Sequence, residues 1–557
     1  MPDSPTTVDA VVIGSGHNGL VAAAALAKAG WSVVVLEAED TPGGCIRSGE
    51  ATVPGVVHDL YSTNQNLFKQ SPPYQAWKDD FERHGLRFAH SEAPFCNVFE
   101  DCTAIRVVAD LDRTADMLAE HSAADAEGLR RLNERFEDFQ TAFLPLYDYA
   151  LPSAGAAAAL AKGVASVGVE RTLELARMLL GSTRELGASY FETDEAQALL
   201  ATWGMHMDFG PDVSGGAVFP LMETFSNIGG GMVVAEGGAS KIPEALCAMI
   251  EENGGTVRTG ARATRVLTDG GRATGVEVEG GERIRAEKAV IANLMPQAVF
   301  GGLLDGVEMP EPFQHKVEGY QHGPGTFMLH LTLDGPVPWA AGDDIAGFAY
   351  VHVPPTVDDL ARTYQQSLAG LLPDSPLLIV GQTTAVDPTR APDGTHVLWI
   401  QVRSVPGTIQ GDAAGEIDAT DWGAATGPFT ERVLDKLERF APGLRERVVG
   451  QHAMSPTDLE RHNANLVGGD SIGGSAHFRQ NFLFRPFPGW SRYEMPVEDL
   501  YLCGAATWPG PGNNATSGWL VAERLTSGVP WKEVALGAAA TGAAGAALWS
   551  LLSSSDE

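Results

Sequence analysis

Three glycines and one acid carry the first chemical signal. Gly14, Gly16 and Gly19 lie in residues 9–20 (DAVVIGSGHNGL), and Glu37 closes residues 31–37 (WSVVVLE). A strand, a glycine turn, a helix, a second strand and a terminal acid in one unit suit a dinucleotide. Gly14 permits the tight turn, Gly16 lets backbone N–H groups approach a pyrophosphate, and Gly19 allows the helix to pack closely on the sheet. The start of the helix then faces the phosphates. Glu37 stands where a carboxylate accepts hydrogen bonds from a ribose diol and repels a 2′-phosphate, so FAD or NAD fits better than NADP.

A second strand, glycine loop and helix occupies residues 497–525 (VEDLYLCGAATWPGPGNNATSGWLVAERL). Two such loops in one sheet suit a long cofactor. Gly504 is expected near the ribityl and pyrophosphate portion, and a helix starting at 513–516 is expected to aim its positive end at a flavin pyrimidine ring, where reduction places negative charge. An NAD site has no use for so distant an arrangement, which selects FAD. For acid–base work the candidates are His58, in the loop after a glycine pair, and His206, in residues 203–211 (WGMHMDFGP). His17, in the first glycine turn, is expected to contact pyrophosphate.

Composition narrows the classes. The formal charge of −33 over 557 residues leaves no basic footprint for nucleic acid. Five cysteines, Cys45, Cys96, Cys102, Cys247 and Cys503, show no CxxC pattern, so neither a disulfide framework nor a metal site is expected. No charged and then apolar leader opens the chain, which points to the cytoplasm. Residues 534–552 are uncharged and rich in Ala and Gly. They read as a packing tail, a peripheral membrane contact or a span.

The elements that must position these residues follow from periodicity. A hairpin is expected over 95–108, with Glu100 and Asp101 at its turn. Residues 111–200 carry apolar residues at three- and four-residue spacing and read as an inserted helical cap, which 203–211 interrupts. Short strands are expected at 256–258, 263–268, 273–278 and 283–285, with a return strand at 289–293. Residues 320–405 read as a mostly antiparallel second sheet. The fold class is therefore α/β, a Rossmann-like FAD-binding domain with a mixed-sheet substrate domain and a helical insertion. The expected division is 1–75, 226–300 and 481–530 for FAD binding, 76–225 for a substrate and helical cap region, 301–480 for the substrate domain and 531–557 for the Ala/Gly-rich tail.

The N-terminal GSGHNGL, LE and PGG, the central EGGASKIPEAL, NGG, TGARATRVL and VIAN, and the terminal FLFRPFPGW and DLYLCGAATWPGPGNNATSG together resemble the phytoene-desaturase-type flavoproteins, also called carotenoid oxidoreductases. The similarity is to their broad NAD(P)/FAD-dependent branch, with an amine-oxidase-type FAD domain. It implies cofactor contacts at Gly14, Ser15, Gly16, His17, Asn18, Gly19, Glu37, Ala38, Gly44, Cys45, Ala263, Asn293, Gly504, Asn513, Asn514 and Ala515. Two features depart from the pattern: Cys45 stands where related oxidases often have Arg, and the final loop has Pro511, Asn513 and Asn514 where relatives often carry more glycine. The resemblance implies dehydrogenation of a hydrophobic substrate, such as a polyene or terpenoid, by hydride transfer to flavin N5. The rings of Phe478, Phe482, Phe484, Phe487, Trp490 and Trp508 suit such a substrate. The electron acceptor stays open between oxygen and a quinone. An amine or amino-acid oxidase, a non-redox flavin-dependent isomerase and a non-catalytic scaffold are the competing readings.

Overall fold

A computed structural model describes residues 6–354 and 356–527. The tail expected at 531–557 lies outside them. Runs rich in valine, isoleucine and alanine build the first sheet. Thr6–Ile13 pairs in parallel with Val33–Leu36 on one side and Arg283–Ala292 on the other. Thr256–Arg258 extends this sheet beyond Val33–Leu36, and Leu500–Leu502 joins it in parallel beside Val290, Ile291 and Ala292. The hairpin Ala263–Asp269 and Arg272–Val278 completes the edge. One strand, Arg283–Ala292, replaces the two expected at 283–285 and 289–293. Its first half is exposed at alternate positions, which looks like a separate strand in sequence, but both halves pair with Thr6–Ile13 across a register shift.

The helix His17–Lys28 covers one face of this sheet, flanked by Lys241–Glu252 and Thr516–Thr526. Ala22, Ala23 and Ala24 are fully buried there, because only small side chains allow two helices and a sheet to converge.

The second sheet runs, in spatial order, Val448–Met454, Gly325–Leu333, His396–Val405, Leu377–Gln382, Tyr350–Val353, Phe95–Val98 and Ala104–Val107. Its pairings are antiparallel apart from Tyr350–Val353 with Phe95–Val98. The expected hairpin forms, with Cys102 at φ 64° in its turn. It belongs to this sheet and not to the helical insertion that follows it. Gly325–Leu333 is buried at every position because the sheet is covered on both faces. Trp422–Phe440 packs on one face, and Asp194–His206 from the helical insertion packs on the other.

The insertion extends through Val218–Gly230. Trp203 and His206 lie inside Asp194–His206, so the break expected from 203 comes only after His206. Thr193 caps that helix through its hydroxyl, and burial of every position from Ala198 to His206 overrides the weak helical preference of Trp and His.

A buried ionic cluster ties the turn before His396–Val405 to His58–Asp59 and to the segment that precedes Lys241–Glu252. Arg390 Nη1 donates to Asp59 Oδ2 at 2.6 Å and its Nε to Asp387 Oδ2 at 3.0 Å, while Nη2 donates to the Ala235 carbonyl at 2.8 Å. Ser48 Oγ and the Ala239 N–H complete the acceptor positions of Asp59.

Candidate functional site

A groove of about 1530 Å³ opens at the carboxyl ends of the first sheet's parallel strands. Three glycine positions shape it. Gly14 has φ +91°, and a Cβ on Gly19 would stand 2.3 Å from the Gly14 carbonyl oxygen. A Cβ on Gly504 would stand 2.4 Å from the end of the Asn293 side-chain amide. The Asn293 amide thus lies between the two glycine loops, and with its oxygen toward the first helix it accepts from the Gly16 and Gly19 N–H groups at 3.3 Å each.

Glu37 works on the turn as well as the groove. Its Oε2 accepts from the Ser15 N–H at 2.9 Å and from Ser15 Oγ at 2.6 Å, and its Oε1 accepts from the Glu39 N–H at 2.9 Å. The Gly43 N–H donates to the Ser15 carbonyl at 3.0 Å, which lays the second glycine pair against the first turn. Asn18 ties the N- and C-terminal helices together, since its Oδ1 accepts from the Gly518 N–H at 3.1 Å.

Most of the expected cofactor contacts line this groove: Gly14, Gly16, His17, Asn18, Glu37, Ala38, Gly44, Cys45, Ala263, Asn293, Gly504 and Asn513. Ser15 and Gly19 sit behind its wall and hold its shape. Asn514 and Ala515 do not line it. Asn514 Oδ1 accepts from the Thr516 N–H at 2.9 Å and faces a different cavity, and Ala515 is fully buried in the left-handed conformation that starts the helix. Burial holds the His17 imidazole neutral, down to about 4.

Sequence reasoning missed the loop 461–473, which forms the opposite wall through Arg461, Asn463 and Ser471 among others. It also missed Arg47, whose buried Nε has no partner. An arginine therefore does face the groove, two positions after Cys45. Cations, a helix start and glycine backbones along one cleft fit an anionic dinucleotide.

A second chamber, of about 960 Å³, joins the groove at Cys45, Leu466, Ser471, Ile472, Gly512 and Asn513. Its walls are largely apolar and aromatic, with Tyr350 and Trp399 stacked at 5.6 Å. An outer cavity of about 1440 Å³ continues it through Leu67, Met207, Phe219 and Pro511. Of the six aromatic rings singled out in the sequence, Phe478 and Phe482 line this outer cavity. Phe484 is 46% exposed, Phe487 and Trp490 pack on Phe313, and Trp508 is buried against Tyr147 and Phe482.

His206 lines the chamber, and His58 does not. His58 Nε2 is held by Thr52 Oγ1 at 2.9 Å and Thr332 Oγ1 at 3.3 Å, farther along the strand Gly325–Leu333 and beside His330, so it is a packing residue. His206 Nε2 lies 3.3 Å from His352 Nε2, and His352 Nδ1 lies 3.1 Å from Asn97 Oδ1. The Asn97 oxygen requires a proton on His352 Nδ1, and so the Nε2–H of His206 donates to His352. Burial and the neighbouring His352 and Arg403 hold His206 neutral.

Two further polar residues of the chamber were not anticipated. Glu223, in the apolar helix Val218–Gly230, is buried and its carboxyl is pushed up to about 7 by desolvation. Arg403 lies in the mostly buried strand His396–Val405, whose other residues carry no carboxylate, lysine or second arginine. In both cases the available signal is a lone charge within an otherwise uncharged element, since a buried charge is costly without a role.

Comparison with known proteins follows the same lines. Residues 19–510 match the model of the flavin containing amine oxidoreductase family. The chain is 26% identical over 550 residues to the pyridine nucleotide-disulfide oxidoreductase domain-containing protein 2 of Rattus norvegicus, covering 92% of each chain. It is 26% identical over 538 residues to a zeta-carotene-forming phytoene desaturase of Myxococcus xanthus, covering 92% of this chain and 93% of that one. Among solved structures, an oxidoreductase from Methanosarcina mazei shares the fold at a TM-score of 0.60 and 18% identity, over 92% of this chain and 99% of that one. No helix among the described residues is long and apolar enough to cross a membrane. The chain belongs to the flavin containing amine oxidoreductase family and is an FAD-dependent oxidoreductase.

Proposed function

We propose that this enzyme dehydrogenates a hydrophobic molecule, a polyene or terpenoid in class. The observation that carries the reading is the continuity of groove, chamber and outer cavity, which gives an elongated apolar molecule a route from solvent to the cofactor. Similarity to a phytoene desaturase supports the same substrate class. The bound flavin supplies a two-electron acceptor for a hydride.

The chain's own residues would do three things. Gly14, Glu37, Asn293 and Gly504 hold the cofactor's two halves. Met207, Phe219 and Leu466 exclude water and keep the substrate's apolar length out of solvent. Glu223 is the group whose proton affinity is best matched to neutral pH, so it is assigned the second hydrogen in preference to His206, which burial makes a weak base.

Anaerobic bleaching of the bound flavin tests the reading against a panel of polyenes, terpenoid alcohols and amines. Bleaching by the polyene or terpenoid members is expected. Bleaching by amines alone would overturn it in favour of an amine oxidase, and purified protein that neither carries nor takes up FAD would remove redox catalysis altogether.

A further inference from the structure

We propose that Arg403 anchors a single carboxylate on an otherwise apolar substrate. This deepens the function proposed above and rests on it. Among the described residues, Arg403 is the only arginine or lysine lining the chamber. Among the described residues no carboxylate lies within 4.0 Å of its guanidinium. The nearest acids by influence, Asp470 and Asp208, are already committed. Asp470 accepts from the N–H groups of Gly323, Ile472 and Gly474, and Asp208 from Ser475 and Ala476.

The guanidinium itself is held in place with donors to spare. Its Nη1 donates to Thr326 Oγ1 at 3.2 Å and to Ser471 Oγ, and its Nη2 to the His206 carbonyl. A guanidinium has five N–H donors. Three are used, and Nε is buried without a partner. Such a cation, fixed and unneutralised in an apolar cavity, is costly unless an anion completes it.

The chemistry selects a monoanion. A phosphate carries up to two charges, and the chamber offers no second cation, since burial keeps His206 neutral. Glu223 in the same chamber would further oppose a dianion. Ser471 lines both chamber and groove and accepts from Arg403, so the anchored end would lie beside the cofactor groove, with the apolar length directed toward the outer cavity.

The test titrates FAD-loaded enzyme with dodecanoate, dodecan-1-ol and dodecyl phosphate, each below its aggregation concentration, and reads the perturbation of the visible flavin band. Dodecanoate is expected to bind about tenfold or more tightly than the alcohol, the range for a charged hydrogen bond in a dry site, and more tightly than the phosphate. Arg403→Gln should abolish the preference for the acid while leaving the alcohol's affinity within about twofold. Arg403→Lys, which keeps the charge and guards against misfolding, should retain part of it. Equal binding of acid and alcohol, tighter binding of the phosphate, no binding of any probe to flavin-loaded enzyme, or an acid preference that survives Arg403→Gln would overturn the proposal. A protein unable to load flavin would instead overturn the function on which it rests.

Discussion

The cofactor groove and the substrate chamber meet at six shared residues yet are assembled by opposite means. The groove draws on short, contiguous stretches in which backbone conformation is the recognition element, and there glycine is required by geometry. The chamber draws side chains from the helical insertion, three strands of the second sheet and the loop 459–472, with no stretch supplying more than a few. Backbone recognition writes itself into residue type. Side-chain recognition depends on which distant elements converge.

That contrast can be broken most sharply at Gly19. A Cβ there meets the Gly14 carbonyl oxygen at 2.3 Å, so Gly19→Val is expected to yield protein without flavin. A yellow variant would show that the turn does not depend on close packing. The next largest effect is expected at the buried cluster of Asp59, Arg390 and Asp387. Asp59→Asn removes the charge opposite buried Arg390 and should cost about 3–5 kcal/mol, read by chemical denaturation. A loss below about 1 kcal/mol would mean that Asp387 alone suffices.

Glu223 offers a pH-dependent test on the chamber side. Its folded-state value of about 7 lies above the ordinary 4.5. Below pH 4.5 the carboxyl is protonated in both folded and unfolded chains and carries no penalty. Between 4.5 and 7 the unfolded chain releases the proton first, so stability falls as pH rises, and above 7 the penalty is constant at about 3 kcal/mol. Glu223→Gln is therefore expected to stabilise the protein by about that much at pH 8 and hardly at all at pH 4. An equal effect at both values would place Glu223 in a solvated setting.

The smallest expected effects separate the two histidines. His206→Ala should slow anaerobic flavin reduction by a few-fold, through loss of its bond to His352 and of chamber packing, with the flavin spectrum intact. His58→Ala should leave that rate unchanged and cost about 1 kcal/mol of stability through its lost hydroxyl partners. A slow His58→Ala enzyme would blur the boundary between the chamber and the packing outside it.

Legibility followed the same division. Gly14, Gly16, Glu37 and Gly504 announced the groove because tight turns and close backbone approach admit few residue types. Cys45, Asn293 and Asn513 were reached through resemblance. Arg47 and the loop 461–473 were not, since their signals are ordinary turn residues in no regular element. Of the chamber's histidine, glutamate and arginine side chains, only His206 was named in advance. Glu223 and Arg403 were visible as lone charges in otherwise uncharged segments, but periodicity alone does not say which cavity they enter.

The amino-acid order by itself determined the alternation of strand and helix, the two glycine loops and the acid that closes the first unit, because these depend on local conformation and on spacing of a few residues. Only the tertiary structure decided that Arg403, Glu223 and His206 share one chamber, that His58 lies outside it, and that the chamber opens onto the groove. Those relations join residues up to several hundred positions apart, and burial, not local preference, fixes both their positions and their charge.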